Sequence, residues 1–427
     1  MTGRAYAAGA LAAPSAAPRL TIWRLLLIGA GLFLLLVYSQ AWVFPLMGEQ
    51  ATAAEGGLIR VLYLPAYAAG FLLLAASPSA SLQALLRQPF LILLMLIVAA
   101  SVLWSISPDQ TLRRVFAAYC SVLGGVVLAA RLKWAELAEL LAAAFAILAV
   151  IAFIVPIILP SVGIMQEIFP GAWRGVWPEK NALGGNMAFG FAIMGAAAAL
   201  NPRRWPIWCG FAALALLLTL MSTSKTSLVA LVLGFGGLVF VAIVRRGPVT
   251  QVAMVWLAVV ALGMGAGVAL FAADAVFDLL GKDATLTGRT KIWAAAMNQI
   301  ELRPWLGYGF GVVWDDLGPW SPHAAMAAQA GFTAQHAHNS WIEQWLGMGL
   351  VGLAAFGLFY FQTLFMALLA LFRDKGAYLA VPFLIVFTLM TITESVAVTY
   401  NDFRWVLFVA IAVKLTWPDE AVARHRA

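Results

Sequence analysis

Charged side chains are scarce in this chain of 427 residues. Asp, Glu, Lys and Arg together make up 11% of it, whereas hydrophobic residues make up 63%. Soluble globular domains carry about 25% charged residues. This composition excludes the soluble class and predicts an integral membrane protein. Since each span needs roughly 20 apolar residues, a chain of this length can hold about a dozen spans with short loops.

Cysteine is also nearly absent. The two cysteines, Cys120 and Cys209, lie within apolar runs, where a free thiol packs as a small hydrophobic group. Neither has the spacing of a disulfide framework or of a metal site. The sequence therefore predicts neither feature.

The N-terminal region has no convincing small-residue cleavage site after its first apolar run. A secretory signal peptide needs such a site. We therefore expect the run to be retained as the first span. Residues 1–20, which precede it and are rich in alanine, are expected to form a disordered cytoplasmic tail.

Breaks at proline, glycine and charged residues predict an all-α fold: a polytopic membrane helix bundle in one domain over residues 1–427. One long periplasmic loop over 273–344 is expected to contain helices of its own. About twelve spans are predicted. They lie near 22–46, 57–77, 88–105, 114–131, 136–159, 183–200, 206–221, 226–244, 250–272, 346–372, 377–398 and 404–417.

The basic residues indicate the orientation, because short cytoplasmic loops are enriched in Lys and Arg. With both termini in the cytoplasm, every inside loop is basic, and the formal charge of +7 is spread between spans rather than gathered in a nucleic-acid-binding patch. No nucleic-acid partner is expected. The cations left on the outer face need another explanation, and four outside segments carry polar residues at span ends. One of these ends in Arg113 and Arg114, for which lipid phosphate is a candidate partner. The other three contain the candidate site residues.

The first two of these three segments are short. One contains Arg174, Lys180 and Asn181 between Gly and Pro residues, which are tolerated at membrane depth where the backbone lines a cavity. Snorkelling of these cations to lipid head groups is the alternative. The other is the hydroxyl-rich link around Lys225, whose partner is either a carboxylate or a ligand phosphate, since an unpaired charge is costly in such a place.

The third segment is the long loop. Arg289 and Lys291 open a predicted helix, whose N-terminus favours an anion. At the other end of the loop, His336, His338 and Asn339 precede a further helix. A neutral imidazole such as His338 can accept a proton from a hydroxyl, although a histidine more often makes a structural hydrogen bond. No metal is predicted, because two histidines with a distant carboxylate among arginines make a poor ligand set.

Five motifs in this order resemble the O-antigen ligase and polymerase superfamily. They are Trp-Ser-x-Ser-Pro-Asp-x-Thr at 104–111, Lys-Asn at 180–181, Ser-Lys-Thr-Ser at 224–227, Thr-Gly-Arg-x-x-Ile-Trp at 287–293, and His-Asn at 338–339 before a Gly-rich helix. The resemblance covers roughly residues 100–372. Each motif is weak alone, whereas the ordered set is specific.

Resemblance to the ligase branch implies an enzyme of the bacterial inner membrane with a periplasmic active site. It would transfer O-antigen from undecaprenyl diphosphate to a sugar hydroxyl of lipid A-core, with inversion and without metal or cofactor. The resemblance implies His338 as the base and Arg289 as a diphosphate ligand. Arg174, Lys180, Asn181, Lys225, His336, Asn339 and Lys291 are expected to contact the diphosphate or glycan.

Three alternatives remain at this point. An O-antigen polymerase and a protein O-oligosaccharyltransferase would use the same donor with another acceptor. A proton-coupled transporter belongs to a different class, with Glu394 in an apolar run as its coupling group. Against the transporter, the sequence has no evident internal repeat and has a long outside loop. The simplest structural role for Glu394 is a salt bridge to an outside cation such as Arg404.

Overall fold

The structure is a computed structural model that describes residues 22–48, 57–271, 288–315 and 318–426. Its regular structure in these ranges is helical, apart from one isolated antiparallel bridge between Ile164 and Trp173. The all-α fold class is therefore confirmed. The predicted tail over 1–20 and the first part of the long loop, residues 272–287, lie outside the described residues.

Eighteen α-helices form the described part of the chain. They are α1 Ile22–Tyr38, α2 Val43–Met47, α3 Gly57–Ala75, α4 Pro78–Leu86, α5 Pro89–Ala100, α6 Pro108–Arg131, α7 Trp134–Ile158, α8 Pro160–Gly163, α9 Lys180–Leu200, α10 Trp205–Met221, α11 Lys225–Val244, α12 Pro248–Phe271, α13 Arg289–Leu302, α14 Pro322–Ala330, α15 Ser340–Arg373, α16 Ala377–Thr393, α17 Phe403–Thr416 and α18 Asp419–Arg426.

The chain is a multi-pass membrane protein. Within the described ranges, seven helices are long and apolar enough to cross a membrane, or eight if α3 and α4, which meet at a bend of 95°, form one span. Three shorter apolar helices accompany them. Each of the predicted spans falls on a helix, but the number twelve is not confirmed. Helix α17, for example, has 14 residues and covers only about 21 Å of a hydrocarbon layer of roughly 30 Å.

One predicted boundary is wrong in a way that matters for the site. The sequence placed a span over 377–398, whereas α16 ends at Thr393 and Glu394 has extended backbone angles. Glu394 therefore begins a loop that runs to α17. It is not a charged residue in the middle of a membrane helix.

Helix α17 lies at the centre of the bundle. Trp405 and Phe408 are fully buried, and Phe408 stacks on Phe387 of α16 with ring centroids 4.4 Å apart. Lys414 near the end of the helix is also fully buried and pairs with Asp419 at 2.9 Å. Residues 394–402 connect the end of α16 to the start of this buried helix. The loop therefore lies against the neighbouring helices of the bundle.

The basic helix ends meet at one end of the bundle. Arg87 donates to the carbonyl of Thr416 at 3.0 Å, and Arg245 donates to that of Asp374 at 2.7 Å. Trp134 at the start of α7 also donates to Asp374 at 2.9 Å. The loops predicted to be cytoplasmic are therefore tied together, which leaves the polar segments of the sequence at the opposite end.

The described part of the long loop contains two helices, α13 and α14, as expected. These helices share a small hydrophobic core that includes Ile292, Ile300 and Met326, and the core continues onto Leu346 of α15. The loop is thus packed onto the bundle and does not form a separate layer.

A break in α15 provides the docking point for this loop. Gly349 has φ 66° and ψ −169°, a conformation essentially restricted to glycine. The amide of Leu350 donates to the carbonyl of Pro304 at 2.8 Å, and that of Gly309 donates to the carbonyl of Gly347 at 2.8 Å. Backbone groups released by the break are therefore satisfied by the loop.

Candidate active site

Glu394 joins the two residues that the sequence singled out. Its Oε1 accepts from Arg289 Nη2 at 2.9 Å, and its Oε2 lies 2.9 Å from Nδ1 of His338. The side chains of Arg289, His338 and Glu394 are 16%, 26% and 19% exposed, so the group is largely shielded from water. Residues from α13, the loop before α15 and the end of α16 meet here, although they are far apart in the sequence.

The carboxylate determines which nitrogen of His338 can act as a base. A proton on Nδ1 makes the hydrogen bond to Glu394, which leaves the lone pair of Nε2 available. The same arrangement of carboxylate and imidazole orients the base in serine hydrolases. The geometry therefore fixes the tautomer of His338 and leaves one nitrogen free to accept a proton.

The Glu394 carboxyl is held as a carboxylate. Burial raises its pKa, but the hydrogen bond from His338 and the charges of His338 and Arg289 outweigh burial, so that the net pKa is lowered. Arg289 also donates from Nη1 to the carbonyl of Thr393 at 2.5 Å. The guanidinium therefore fixes both the charge and the position of Glu394.

The backbone at His338 is strained and is held by its neighbours. Its φ is +52°, which is uncommon for a residue with a Cβ. Trp293 donates to the carbonyl of Ala337 at 2.7 Å, and the amide of Ala337 donates to Glu343 at 2.5 Å. Helices α13 and α15 thus hold the segment from both sides, as strained functional residues require.

Ser340 connects this segment to Glu394. Its hydroxyl donates to the carbonyl of Glu394 at 2.9 Å and accepts from the amide of Val396 at 2.9 Å. Ser395 in turn donates to Glu343 at 3.1 Å. The loop after α16 and the start of α15 are therefore fixed relative to each other, and so are Glu394 and His338.

His336 lies against His338, with ring centroids 3.9 Å apart. Its Nδ1 accepts from the amide of His338 at 3.2 Å. Burial, followed by the charge of His338, lowers the pKa of His336 to about 3. A base with so low a pKa accepts a proton poorly near neutral pH. The lowered pKa therefore disfavours His336 as the base. The role of His338 as the base stays a prediction from the sequence.

Two cavities meet at this site. The first has a volume of about 910 Å³, and its lining includes Arg174, Asn181, His336, Glu394 and Arg404. The second has about 930 Å³ and its lining also includes His336. His338 is in neither lining, but its ring lies against His336 of the shared lining and its Nδ1 lies 2.9 Å from Glu394 of the first. Each cavity is large enough for part of a substrate.

The other predicted residues have more varied positions. Arg174 lines the first cavity, donates to the carbonyl of Val162 at 2.8 Å and lies over the ring of Phe44 at 4.4 Å. Asn181 lines the same cavity and accepts from Ser224 at 2.8 Å. These two residues are brought to the site as expected.

Six predicted site residues line neither cavity in the described part of the chain. Two of them, His338 and Arg289, contact Glu394, which lines the first cavity. The other four are Lys180, Lys225, Lys291 and Asn339. Lys180 lies 3.7 Å above the ring of Phe169, and Lys225 and Lys291 are exposed. Asn339 caps α15 by accepting from the amides of Trp341 and Ile342. Substrate contact by these four residues stays a prediction.

Glu394 forms a salt bridge to an outside cation, as its structural role predicted from the sequence requires, but the cation is Arg289. Arg404, the example named from the sequence, forms an ion pair with Asp402 two residues away. The signal available in the sequence was a lone carboxylate at the end of an apolar run, which does not identify its partner across the fold.

The expected distance between the histidines and a carboxylate was wrong. Ligand atoms of His336, His338 and Glu394 lie within 4.8 Å of one another, a grouping that can hold a metal ion. Arg289 contacts both Glu394 and, at 3.5 Å, His338 Nδ1. A guanidinium at this distance opposes a divalent cation by charge repulsion. Operation without metal stays a prediction.

Comparisons with known proteins agree with the motifs. Residues 210–357 match the sequence model of a family described as O-Antigen ligase. These residues are therefore similar to an O-antigen ligase domain. The resemblance drawn from the sequence motifs is thus confirmed. The matched residues include Arg289, His336 and His338, whereas Glu394 lies beyond them.

A curated relative has a related description. The chain is 31% identical over 192 residues to "Exopolysaccharide production protein ExoQ" of Rhizobium meliloti (strain 1021), a match that covers 42% of this chain and 43% of that protein. The match thus spans less than half of the relative's length. Both descriptions concern polysaccharide, ligation of O-antigen in one and production of exopolysaccharide in the other. The similarity to an O-antigen ligase domain therefore supports an enzyme of the polysaccharide ligase or polymerase type.

Proposed function

We propose that this protein is an O-antigen ligase. It transfers a preassembled O-antigen from undecaprenyl diphosphate to a sugar hydroxyl of lipid A-core at the periplasmic face of the bacterial inner membrane. The observation that carries the proposal is the hydrogen bond of 2.9 Å between Glu394, which lines the first cavity, and His338, which lies within the residues that match the family.

The reaction is a single displacement at the anomeric carbon. The acceptor oxygen forms the new glycosidic bond, and its proton passes to Nε2 of His338. The bond between the anomeric carbon and the diphosphate oxygen breaks, and its electron pair leaves with undecaprenyl diphosphate. Attack from the face opposite the leaving group inverts the configuration. One base is sufficient for this step, whereas hydrolytic glycosidases use a pair of carboxylates.

Cations near the first cavity support its assignment to the donor. Arg174 and Arg404 line this cavity, and Arg289 lies behind Glu394. Negative charge develops on the leaving diphosphate, and fixed cations stabilise it more in a desolvated site than in water. The planar guanidinium also suits two phosphate oxygens at once. The donor diphosphate is therefore assigned to the side of His336 that contains Arg174.

A polymerase is the second candidate, because the curated relative is described by exopolysaccharide production. It would use the same base and the same donor. Its acceptor would be a second glycan linked to lipid diphosphate. Only the acceptor distinguishes the two candidates.

The test is reconstitution in liposomes with lipid-linked O-antigen and one acceptor at a time. We expect product with lipid A-core, visible on a gel as O-antigen attached to that acceptor. Product only with a second lipid-linked unit would replace the ligase by the polymerase. Product only with a protein hydroxyl would indicate a protein O-oligosaccharyltransferase, and movement of glycan without a new bond would indicate a transporter.

A further inference from the structure

The second cavity is a separate space that touches the first at one wall. Gln40, Gln335, His336, Ser395 and Asp402 line both cavities. The two volumes, about 910 and 930 Å³, are nearly equal. The residues of this common wall include His336, which lies against His338. A group entering from either side therefore arrives close to the same imidazoles.

The second cavity has an aromatic lining. Tyr63 and Tyr67 of α3, Phe116 of α6 and Trp314 of the loop contribute to it. Tyr63 and Tyr67 stack with ring centroids 6.5 Å apart. Aromatic rings with polar edges suit molecules that have an apolar and a polar part.

The carboxylates in this lining already have partners. Asp315 pairs with Arg114 at 2.6 Å, and Asp402 pairs with Arg404. Glu343 accepts hydrogen bonds from the amide of Ala337, the indole of Trp314 and the hydroxyl of Ser395. The three acidic groups of the lining are thus engaged with groups other than a ligand.

Two further arginines of the lining are different. Arg60 near the start of α3 and Arg113 in the first half of α6 are exposed and line this cavity. Asp315 and Asp402 are each paired with an arginine, so that Arg60 and Arg113 face one remaining carboxylate, Glu343, and the lining, counted with its ion pairs, keeps a net positive charge. An aromatic space with two accessible guanidinium groups is complementary to an amphiphile with a phosphorylated head.

We infer that the second cavity is the acceptor site and that Arg60 and Arg113 bind phosphate of a phosphorylated, lipid-linked glycan. This inference rests on the proposed function, and it adds the location and the charge of the acceptor. The lipid part contacts the aromatic lining, and the sugar hydroxyl reaches the common wall at His336. Donor and acceptor then approach His338 from opposite sides without competing for one space.

The test is direct binding of acceptor to the purified full-length protein without donor. The variant is the double substitution Arg60→Gln and Arg113→Gln, which removes both charges. The control is Arg203→Gln with Arg373→Gln, two exposed arginines at the basic end of the bundle. The ligands are lipid A-core, an undecaprenyl-diphosphate-linked glycan, and vesicles of phosphatidylglycerol, which offer phosphate without glycan.

We expect the double variant to bind its acceptor at least ~10-fold more weakly, as the loss of charge-assisted hydrogen bonds predicts. The control should bind as wild type does. The ligand affected, lipid A-core or the lipid-linked glycan, identifies the acceptor. Unchanged acceptor binding in the double variant, or equal competition by phosphatidylglycerol, would overturn the inference.

Kinetics separate this inference from the proposed function. In the double variant we expect a raised KM for acceptor and a KM for donor within about twofold of wild type. A raised KM for donor alone would overturn the assignment of the two cavities. Acceptor binding by wild type that never leads to transfer would instead overturn the proposed function and leave the binding site standing.

Discussion

Glu394 connects the two candidate functional residues that the sequence identified, Arg289 and His338. It accepts from Arg289 through one oxygen and contacts His338 through the other. The sequence identified Arg289 and His338 by their motifs, but it placed Glu394 in a span and named Arg404, ten residues further along, as an example of its partner. The reason is physical: residues 289, 338 and 394 come together only through the packing of three separate segments, which local patterns do not encode.

Glu394→Gln tests the role of the carboxylate. The amide keeps the shape of the side chain but does not hold the Nδ1 proton as a carboxylate does, so that His338 is a weaker base. We expect transfer to slow about 100-fold and the pH–rate profile to change. Glu139→Gln at the other end of the bundle is the control. Wild-type rate and profile in Glu394→Gln would remove the carboxylate from the mechanism.

Arg289→Lys tests the planar guanidinium. Arg289 reaches both Glu394 and the carbonyl of Thr393, which a single ammonium group cannot span in the same way. We expect less than about a tenth of wild-type transfer and a raised KM for donor. Full activity of Arg289→Lys would show that transfer needs neither the simultaneous contact with Glu394 and Thr393 nor bidentate binding of the diphosphate.

Acidification tests the lowered pKa values of His336 and Glu394. The pKa of His336 is lowered from 6.5 to about 3, so the unfolded chain binds this proton first and stability falls as pH drops below 6.5. The lowered pKa of Glu394 acts in the same direction at lower pH, because its contribution is lost as the pH falls through its folded pKa.

We expect the apparent unfolding temperature in detergent to fall from pH 7 to pH 4. The contribution of His336 to the free energy of unfolding is at most about 1.4 kcal/mol per pH unit, the limit for one proton. His336→Asn should reduce this slope between pH 6.5 and 4.5. An unchanged slope in that variant would show that His336 is not the group responsible.

At the scale of elements, apolar runs predict helices well but do not predict their ends. The sequence located α6, α7, α9, α10, α11 and α12 to within a few residues. It missed the break at Gly349 and the end of α16 at Thr393, because both depend on backbone partners from elsewhere. The candidate site lies at these two places, which explains why it was only partly predicted.

Gly349→Ala tests the break in α15. A Cβ at this position would overlap the backbone of Trp305 and Leu306, and its φ of 66° disfavours a side chain. We expect a variant that folds poorly or not at all, measured as the monodisperse fraction after detergent extraction.

Gly357→Ala is the matched control on the same helix, since a Cβ there would lie 3.9 Å from Trp341. We expect it to be extracted and to be active as wild type is. Equal behaviour of the two variants would contradict the role of the break in docking the loop.

At the scale of the molecule, the bundle places two cavities on either side of a wall that contains His336, against which His338 lies. Such an arrangement suits transfer between two membrane-borne substrates. It gives Glu394 a fixed partner on each oxygen, whereas a proton-coupling group must be able to lose and regain its proton during transport. Composition predicted the membrane class correctly, but the two spaces and their common wall required the folded chain.

The most direct measurement is glycan transfer by reconstituted protein in excess chelator, with wild type and His338→Ala side by side. The account predicts product from wild type with lipid-linked O-antigen and lipid A-core, and no product from His338→Ala at equal thermal stability. Transfer by His338→Ala near the wild-type rate would contradict His338 as the base. Activity of wild type that requires an added divalent ion would contradict a mechanism without metal.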